Sequence, residues 1–366
     1  MKRIIELDGL RGLFCLGVVF YHVRHDWLFW YWSAMDWFFM LSGFVISANL
    51  IQNRRATNLL SMFFLRRSLR IWPLYYLGLV VGLVIFAVGV QISLWGSVRN
   101  SAWLQQAVFV QYIEGYRHAL DFDSYPFFLR HTWSLAVEEQ FYVIWALAFV
   151  AFRRTRWIVP VTAVAFIAIG IASHLRHVHL YLLTGHMDAF GAGLLLAWLF
   201  VGEAAAVVRP WLGWIFGAAA LLSIPLWLGY VIDGYAKFFS GAEGGLPHQA
   251  MVNVGFVLLW FALTGAVALN PATRACSLLR QRLSVYLGEM CYSLYLVHYA
   301  AITLTVSIGK RFDYDPILLA AGGAVLGVYG AHLLHRYIEQ PLLNRKVALR
   351  YRYEAPDSGR IARAEA

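Results

Sequence analysis

Apolar residues run through this chain in blocks of helix length, separated by short polar or basic connections. Five stretches, 71–94, 210–232, 249–273, 290–309 and 316–335, contain no Asp, Glu, Lys or Arg. Each meets the roughly 20 residues that an α-helix needs to cross about 30 Å of hydrocarbon. With the shorter and charge-bearing blocks included, the pattern predicts ten spans, near 7–23, 34–51, 71–92, 134–152, 156–174, 187–202, 211–232, 251–269, 285–307 and 316–336. The sixth is short and requires Asp188 to be tolerated at its mouth. The expected fold is therefore all-α, a polytopic membrane protein of about ten transmembrane helices, since a helix satisfies its backbone N–H and C=O groups internally.

Composition agrees. The 366 residues are 60% hydrophobic and only 14% charged, against about 25% charged in an ordinary globular domain. Net charge is +10, which on a soluble chain would suggest nucleic acid. Here the basic residues cluster between apolar spans, where orientation in the bilayer explains them better, and no nucleic-acid partner is expected. With the N-terminus in the cytoplasm, all of the 30 basic residues fall on the cytoplasmic side except Arg24, Arg99, Arg117, Arg130, Arg176, Lys237, Lys310 and Arg311. Both termini are thus expected inside. Charges at Asp8 and Arg11, and the lack of a small-residue cleavage site, speak against a removed signal peptide. Cys15, Cys276 and Cys291 show no metal-ligand spacing, and no metal is expected.

The organisation expected is one membrane domain over 1–355 and a short cytoplasmic tail over 356–366. The longest connection, about 93–133, falls on the outer face and carries Tyr112, Tyr116, His118, Asp121, Asp123 and Tyr125. A loop of that length is more often a lid or binding surface than a connector.

Several polar residues sit too deep for a passive helix. His22 ends the first span beside a belt of Trp27, Trp30, Trp32 and Trp37; an imidazole takes and returns a proton near neutral pH and suits acid-base work on a hydroxyl. A histidine merely bonded at the interface is the alternative. Asp36 opens the second span, as a helix cap or as part of a polar site. Glu138 and Glu139 lie below the outer mouth of the fourth span, where adjacent carboxylates are costly unless they face a protein interior or a watery cavity. Either would orient a histidine or hold Arg11, or form a packing ion pair. The ninth span carries Tyr292, Ser293, Tyr295, His298 and Tyr299, a cavity lining or a set of interhelical hydrogen bonds. On the inner side, Arg66, Arg67 and Arg70 form a cluster suited to phosphates, or to anionic lipid.

Six segments in order resemble the acyltransferase family 3 membrane proteins. They are Leu7-Asp8-Gly9-Leu10-Arg11-Gly12 with Tyr21-His22, then Asp36 to Phe44, Phe64 to Pro73, His131 to Tyr142, Tyr292 to His298, and Tyr337 to Leu342. The resemblance covers nearly the whole chain, and its specificity comes from the order of the six. It implies ten spans, a cytoplasmic acyl-CoA donor, usually acetyl-CoA, and transfer to a carbohydrate hydroxyl. The family includes bacterial O-antigen and exopolysaccharide O-acetyltransferases, so the resemblance implies the bacterial inner membrane and a carbohydrate or glycolipid acceptor, with polysaccharide-assembly proteins as further partners. The esterase-like domain fused to some relatives is expected to be absent, since the chain ends soon after Pro341.

The resulting expectation has Arg66, Arg67 and Arg70 holding donor phosphates from inside. His22 is the base, assisted by Glu138 or Glu139; Arg11 and Asp36 complete the catalytic set, and His131, Trp133, Tyr295 and His298 contact the acceptor. Direct transfer is expected, because Cys15 lies about 10 Å along the helix from His22. The rival from another class is a glycolipid transporter or flippase, which would consume no thioester.

Overall fold

The computed structural model describes residues 3–91, 107–109, 127–176, 182–203, 205–233, 245–347 and 349–353. Apart from short turns, the main helices are α1 (Ile5–Val23), α2 (Ala34–Gln52), α3 (Leu59–Gln91), α4 (Trp133–Ala151), α5 (Ile158–Leu175) and α6 (Met187–Val201). They continue with α7 (Leu212–Asp233), α8 (Gly245–Leu269), α9 (Arg282–Glu289), α10 (Cys291–Gly309), α11 (Pro316–Leu334) and α12 (Gln340–Val347). No strand occurs among the described residues. The protein is an all-α polytopic membrane protein. The expected tail 356–366 and the Tyr112 to Tyr125 part of the long connection lie outside the described residues.

Nine helical segments among the described residues are long and apolar enough to cross a membrane. The expected first span forms α1, but Glu6, Asp8 and Arg11 set it apart from those nine. Its charges are matched from two sides: Arg3, just before α1, pairs with Asp8 at 2.6 Å and with Glu289 of α9 at 2.8 Å, and Arg280 lies 3.6 Å from Glu6. Pairing of this kind lowers the cost of ionisable groups at the margin of hydrocarbon.

Two boundaries differ from the sequence pattern. The third span starts at Leu59, because the arginine-bearing run before residue 71 continues the helix as an amphipathic extension. The ninth is broken at Met290 into α9 and α10. A continuous α-helix would satisfy the Gly288 carbonyl with the amide four residues on; at the break Arg11 Nη2 donates to it instead, at 2.5 Å. Asp188 is accommodated at the start of α6 by His174 Nε2 at 3.0 Å and by the Ala189 amide at 2.9 Å.

Helices α2 and α6 are the most enclosed of the spans. In lipid, apolar side chains gain little by leaving the bilayer, so close packing and interhelical hydrogen bonds hold the bundle. Indole donors supply several of these bonds: Trp37 Nε1 to Thr264 Oγ1 at 3.0 Å, Trp145 Nε1 to Ser47 Oγ at 2.9 Å, and Trp260 Nε1 to the Ser33 carbonyl at 3.0 Å. Exposed Val80, Val84, Leu221, Leu318 and Val325 form part of the rim that faces lipid.

The closest approach in this centre is at Gly193 of α6. A Cβ there would strike the Met40 carbonyl oxygen and lie 2.7 Å from the Phe44 nitrogen, both backbone atoms of α2. At Gly217 of α7 a Cβ would meet nothing within 4 Å. Gly193→Val should therefore lower the thermal midpoint of the detergent-solubilised protein by an overpacking penalty of about 1–3 kcal/mol, while Gly217→Ala leaves it within about 0.5 kcal/mol. Equal midpoints for the two variants in a fluorescence-detected melt would contradict this packing.

Candidate active site

Five helices, α1, α2, α3, α4 and α10, surround a cavity of about 150 Å³. Helix α1 presents Arg11, Cys15 and Val18 to it, and His22 continues the same i, i+4, i+7, i+11 stripe. Helix α10 contributes Cys291, Tyr292, Tyr295 and His298, its first two turns following the break at Met290. Helix α3 contributes Arg67 and Arg70, and α4 contributes Ser134, Leu135, Glu138 and Tyr142. Ser42 and Phe38 of α2 close the remaining side.

The polar groups are sorted along the cavity. Arg11, Arg67 and Arg70 stand toward one end, and His298 toward the other. From Arg11 to His22 the stripe on α1 rises about 16 Å at 1.5 Å per residue. Arg11 is engaged by the Gly288 carbonyl and lies 3.9 Å from Asp8. Arg67 lies 5.2 Å over the Tyr142 ring. Neither Arg67 nor Arg70 makes a hydrogen bond or close ion pair with a described residue, and Arg70 stands among the like charges of Arg11 and Arg67, with the Glu339 carboxylate as the opposing charge. Cations left in this state inside a bundle attract an anion.

Glu138 is the carboxylate on the cavity wall. Ser42 Oγ and Tyr142 OH both donate to its Oε1, so it joins α2 and α4. Glu139 points elsewhere, with Trp72 Nε1 3.4 Å from its Oε2 and its buried Oε1 without a hydrogen-bond partner among the described residues. Neither glutamate bonds to His22. The expectation that one of them fixes the His22 tautomer is corrected by geometry: the ring is held within its own helix. His22 Nδ1–H donates to the Val18 carbonyl at 2.9 Å, which leaves Nε2 with the lone pair. The same device orients His298, whose Nδ1–H donates to the Leu294 carbonyl at 2.8 Å. His298 Nε2 then lies 3.3 Å from His22 Nδ1.

His131 joins this imidazole group. Its ring centroid is 5.6 Å from that of His298 and 5.0 Å from Tyr299, and both its ring nitrogens are buried without a hydrogen-bond partner among the described residues. Tyr295 OH donates to the His131 carbonyl at 2.7 Å and is met by Ser134 Oγ at 2.9 Å. The expected acceptor group is thereby divided: His131, Tyr295 and His298 stand together, whereas Trp133 stacks at 5.4 Å on His186, outside the cavity lining.

Two other expected residues lie apart. Asp36 does not cap α2; its Oδ1 is 2.6 Å from His186 Nδ1, and both side chains are buried. It joins the starts of α2 and α6 and is not part of the cavity wall. Arg66 is also absent from that wall, its guanidinium lying 5.5 Å over the Tyr351 ring. Since successive helical positions turn about 100°, Arg66 and Arg67 face different ways.

The residue whose part was not legible is Glu339. It is 1% exposed, and its Oε2 accepts from Ser293 Oγ at 2.6 Å and from His335 Nδ1 at 2.8 Å. It ends a π-helical turn, His335–Glu339, just before Pro341. A proline lacks the amide donor that a regular helix needs, and that pair of residues was the available signal. Among the described residues, no group of three or more metal-ligating side chains is placed to hold a metal ion.

Known proteins resemble this chain over most of its length. O-acetyltransferase OatA of Staphylococcus aureus strain NCTC 8325 is 26% identical over 356 residues, covering 92% of this chain and 56% of the relative. OatA of Staphylococcus aureus strain COL gives the same values. The chain thus spans little more than half the length of these relatives. No solved structure matches it. Residues 4–336 match the family described as Acyltransferase domain, a stretch that takes in Arg11, His22, the α3 arginines, the Glu138–Glu139 block and His298, and the chain belongs to that family.

Proposed function

We propose that the chain is a membrane O-acyltransferase that moves an acyl group, acetyl in the first instance, from acyl-CoA to a carbohydrate hydroxyl. The observation that carries this reading is the polarity of the cavity: at one end Arg67 and Arg70, without a hydrogen bond or close ion pair among the described residues, and at the other the tautomer-fixed imidazole of His298, 3.3 Å from that of His22. A thioester donor has the matching order, phosphates at one end and the reactive carbonyl at the other. The O-acetyltransferase names of the relatives support acetyl as the group moved. The basic side of the bundle is assigned to the cytoplasm with both termini, so that the donor comes from within and the acceptor from the opposite surface. The bacterial inner membrane is the setting, with a surface or exported glycan or glycolipid as acceptor.

In this reading Arg67 and Arg70 hold donor phosphates, with Arg11 close to the path of the donor and fixed by the Gly288 carbonyl. Guanidiniums suit phosphates because their N–H groups match two oxygens at once. His22 Nε2 removes the acceptor's hydroxyl proton as the oxygen bonds to the acyl carbon. The C–S bond breaks, and the imidazolium returns the proton to the departing thiolate. His22 is ready for this because the Val18 carbonyl holds its other nitrogen protonated. His131 and Tyr295 flank the acceptor end.

Transfer by the purified His22→Ala variant should fall by about 10²–10⁴-fold with the donor KM little altered. A rate near wild type removes His22 from the role of base. Arg70→Ala should instead raise the donor KM, since a hydrogen bond to a charged group contributes about 1.5–3 kcal/mol; an unchanged KM, with labelled CoA bound as tightly as before, would remove the arginine from donor binding. Transport of a glycolipid without thioester consumption in the same preparations would replace acyl transfer by translocation.

A further inference from the structure

Arg66 was expected in the phosphate clamp, yet it faces a short segment that lies beyond the family match at 336. Residues 349–353 run back across the end of α2 and the α2–α3 connection and are hydrogen-bonded to both. The Thr57 amide donates to the Arg352 carbonyl at 2.9 Å, and the Arg352 amide to Asn58 Oδ1 at 2.8 Å. Tyr351 OH donates to Asn49 Oδ1 at 2.6 Å, and Tyr353 OH to Asn53 Oδ1 at 2.7 Å. These bonds give the strap a fixed conformation and set the Tyr351 ring under Arg66.

The strap also lies next to the basic end of the cavity. Burial holds the Tyr351 phenol above its ordinary pKa, while Arg66 and Arg67 together pull it down; Arg67 is itself a cavity residue. Arg350 and Arg352 are exposed on the same strap, and neither they nor Arg66 pair with a carboxylate among the described residues. A basic patch serving only to orient the chain in a bilayer needs no anchored aromatic ring. A phosphorylated purine nucleoside needs both, since its base stacks on an aromatic ring or guanidinium plane and its phosphates take arginine.

We infer that Arg66 and the strap 349–353 form a binding site for the nucleotide end of the donor, a phosphorylated adenosine, at the mouth of the arginine-lined cavity. This inference rests on the acyl-CoA reading of that cavity. Tyr351 and Arg66 receive the base, and Arg350 and Arg352 its phosphate. Arg67 and Arg70 then hold the phosphates nearer the pantetheine arm, which extends toward His298.

The test uses the full chain in nanodiscs and two donors, acetyl-CoA and S-acetylpantetheine, which lacks the nucleotide. Tyr351→Ala should raise KM about tenfold more for acetyl-CoA than for S-acetylpantetheine, and Tyr351→Phe, which keeps the ring, should restore most of the difference. Equal effects on both donors would make the strap structural and overturn the inference, as would no effect on either. Direct binding of adenosine 3′,5′-bisphosphate separates this inference from the function it rests on. Binding that Tyr351→Ala weakens about tenfold, in a protein that consumes neither thioester, would keep the nucleotide site and fail acyl transfer. Transfer that is indifferent to Tyr351, with no bisphosphate binding, would do the reverse. Binding should persist in nanodiscs containing phosphatidylglycerol; its loss there would assign the arginines to lipid headgroups and overturn the site.

Discussion

A guanidinium inside a membrane protein has to find a partner or a polar cavity, because hydrocarbon solvates it so poorly. Arg11 meets that constraint by donating to the Gly288 carbonyl at the break between α9 and α10. The break serves both sides: it gives Arg11 an acceptor and gives the interrupted helix a donor. It also starts α10 at Cys291, so that its first turns, with Tyr292, Tyr295 and His298, line the cavity. Much of the site geometry follows from this contact. Arg67 and Arg70, which have no such partner among the described residues, supply the charge that the proposed anionic donor would neutralise.

The opposite end works by a different principle. His22 and His298 are each oriented by a carbonyl four residues earlier in their own helix, so their tautomers are set without a carboxylate. This frees Glu138 for another task, tying α2 to α4 through Ser42 and Tyr142. The catalytic set proposed here is therefore polarised, with charge at the donor end and neutral imidazoles at the acceptor end. That separation suits a reaction whose donor carries its phosphates far from its reactive carbonyl.

The helical segments and the polar residues within them were legible in the sequence. A charge-free run of about twenty residues matches the thickness of the bilayer, and a carboxylate placed inside one carries a high cost. The ordered motifs carried the family. Partners were much less legible. Nothing in a single sequence relates Asp36 to His186, 150 residues away, and Asp36 reads as a cap until α6 is placed beside it. Arg66 and Arg67 read as one cluster, although one helical position turns them to different surroundings. No proline marks the break at Met290; it depends on the approach of α1, whose Asp8 backbone leaves no room for a Cβ at Gly288.

The central claim is the direction in which a thioester donor lies in the cavity, phosphates at Arg67 and Arg70 and acyl carbon near His298. Photocrosslinking with an acyl-CoA analogue that carries a diazirine on its acyl group, followed by peptide mass spectrometry, tests this directly. Adducts are expected on the α10 and α4 peptides that contain Tyr295, His298 and Ser134, suppressed by excess acetyl-CoA. Adducts confined to the lipid-facing surface of α7 or α11, or adducts at the arginine end of the cavity, would contradict it.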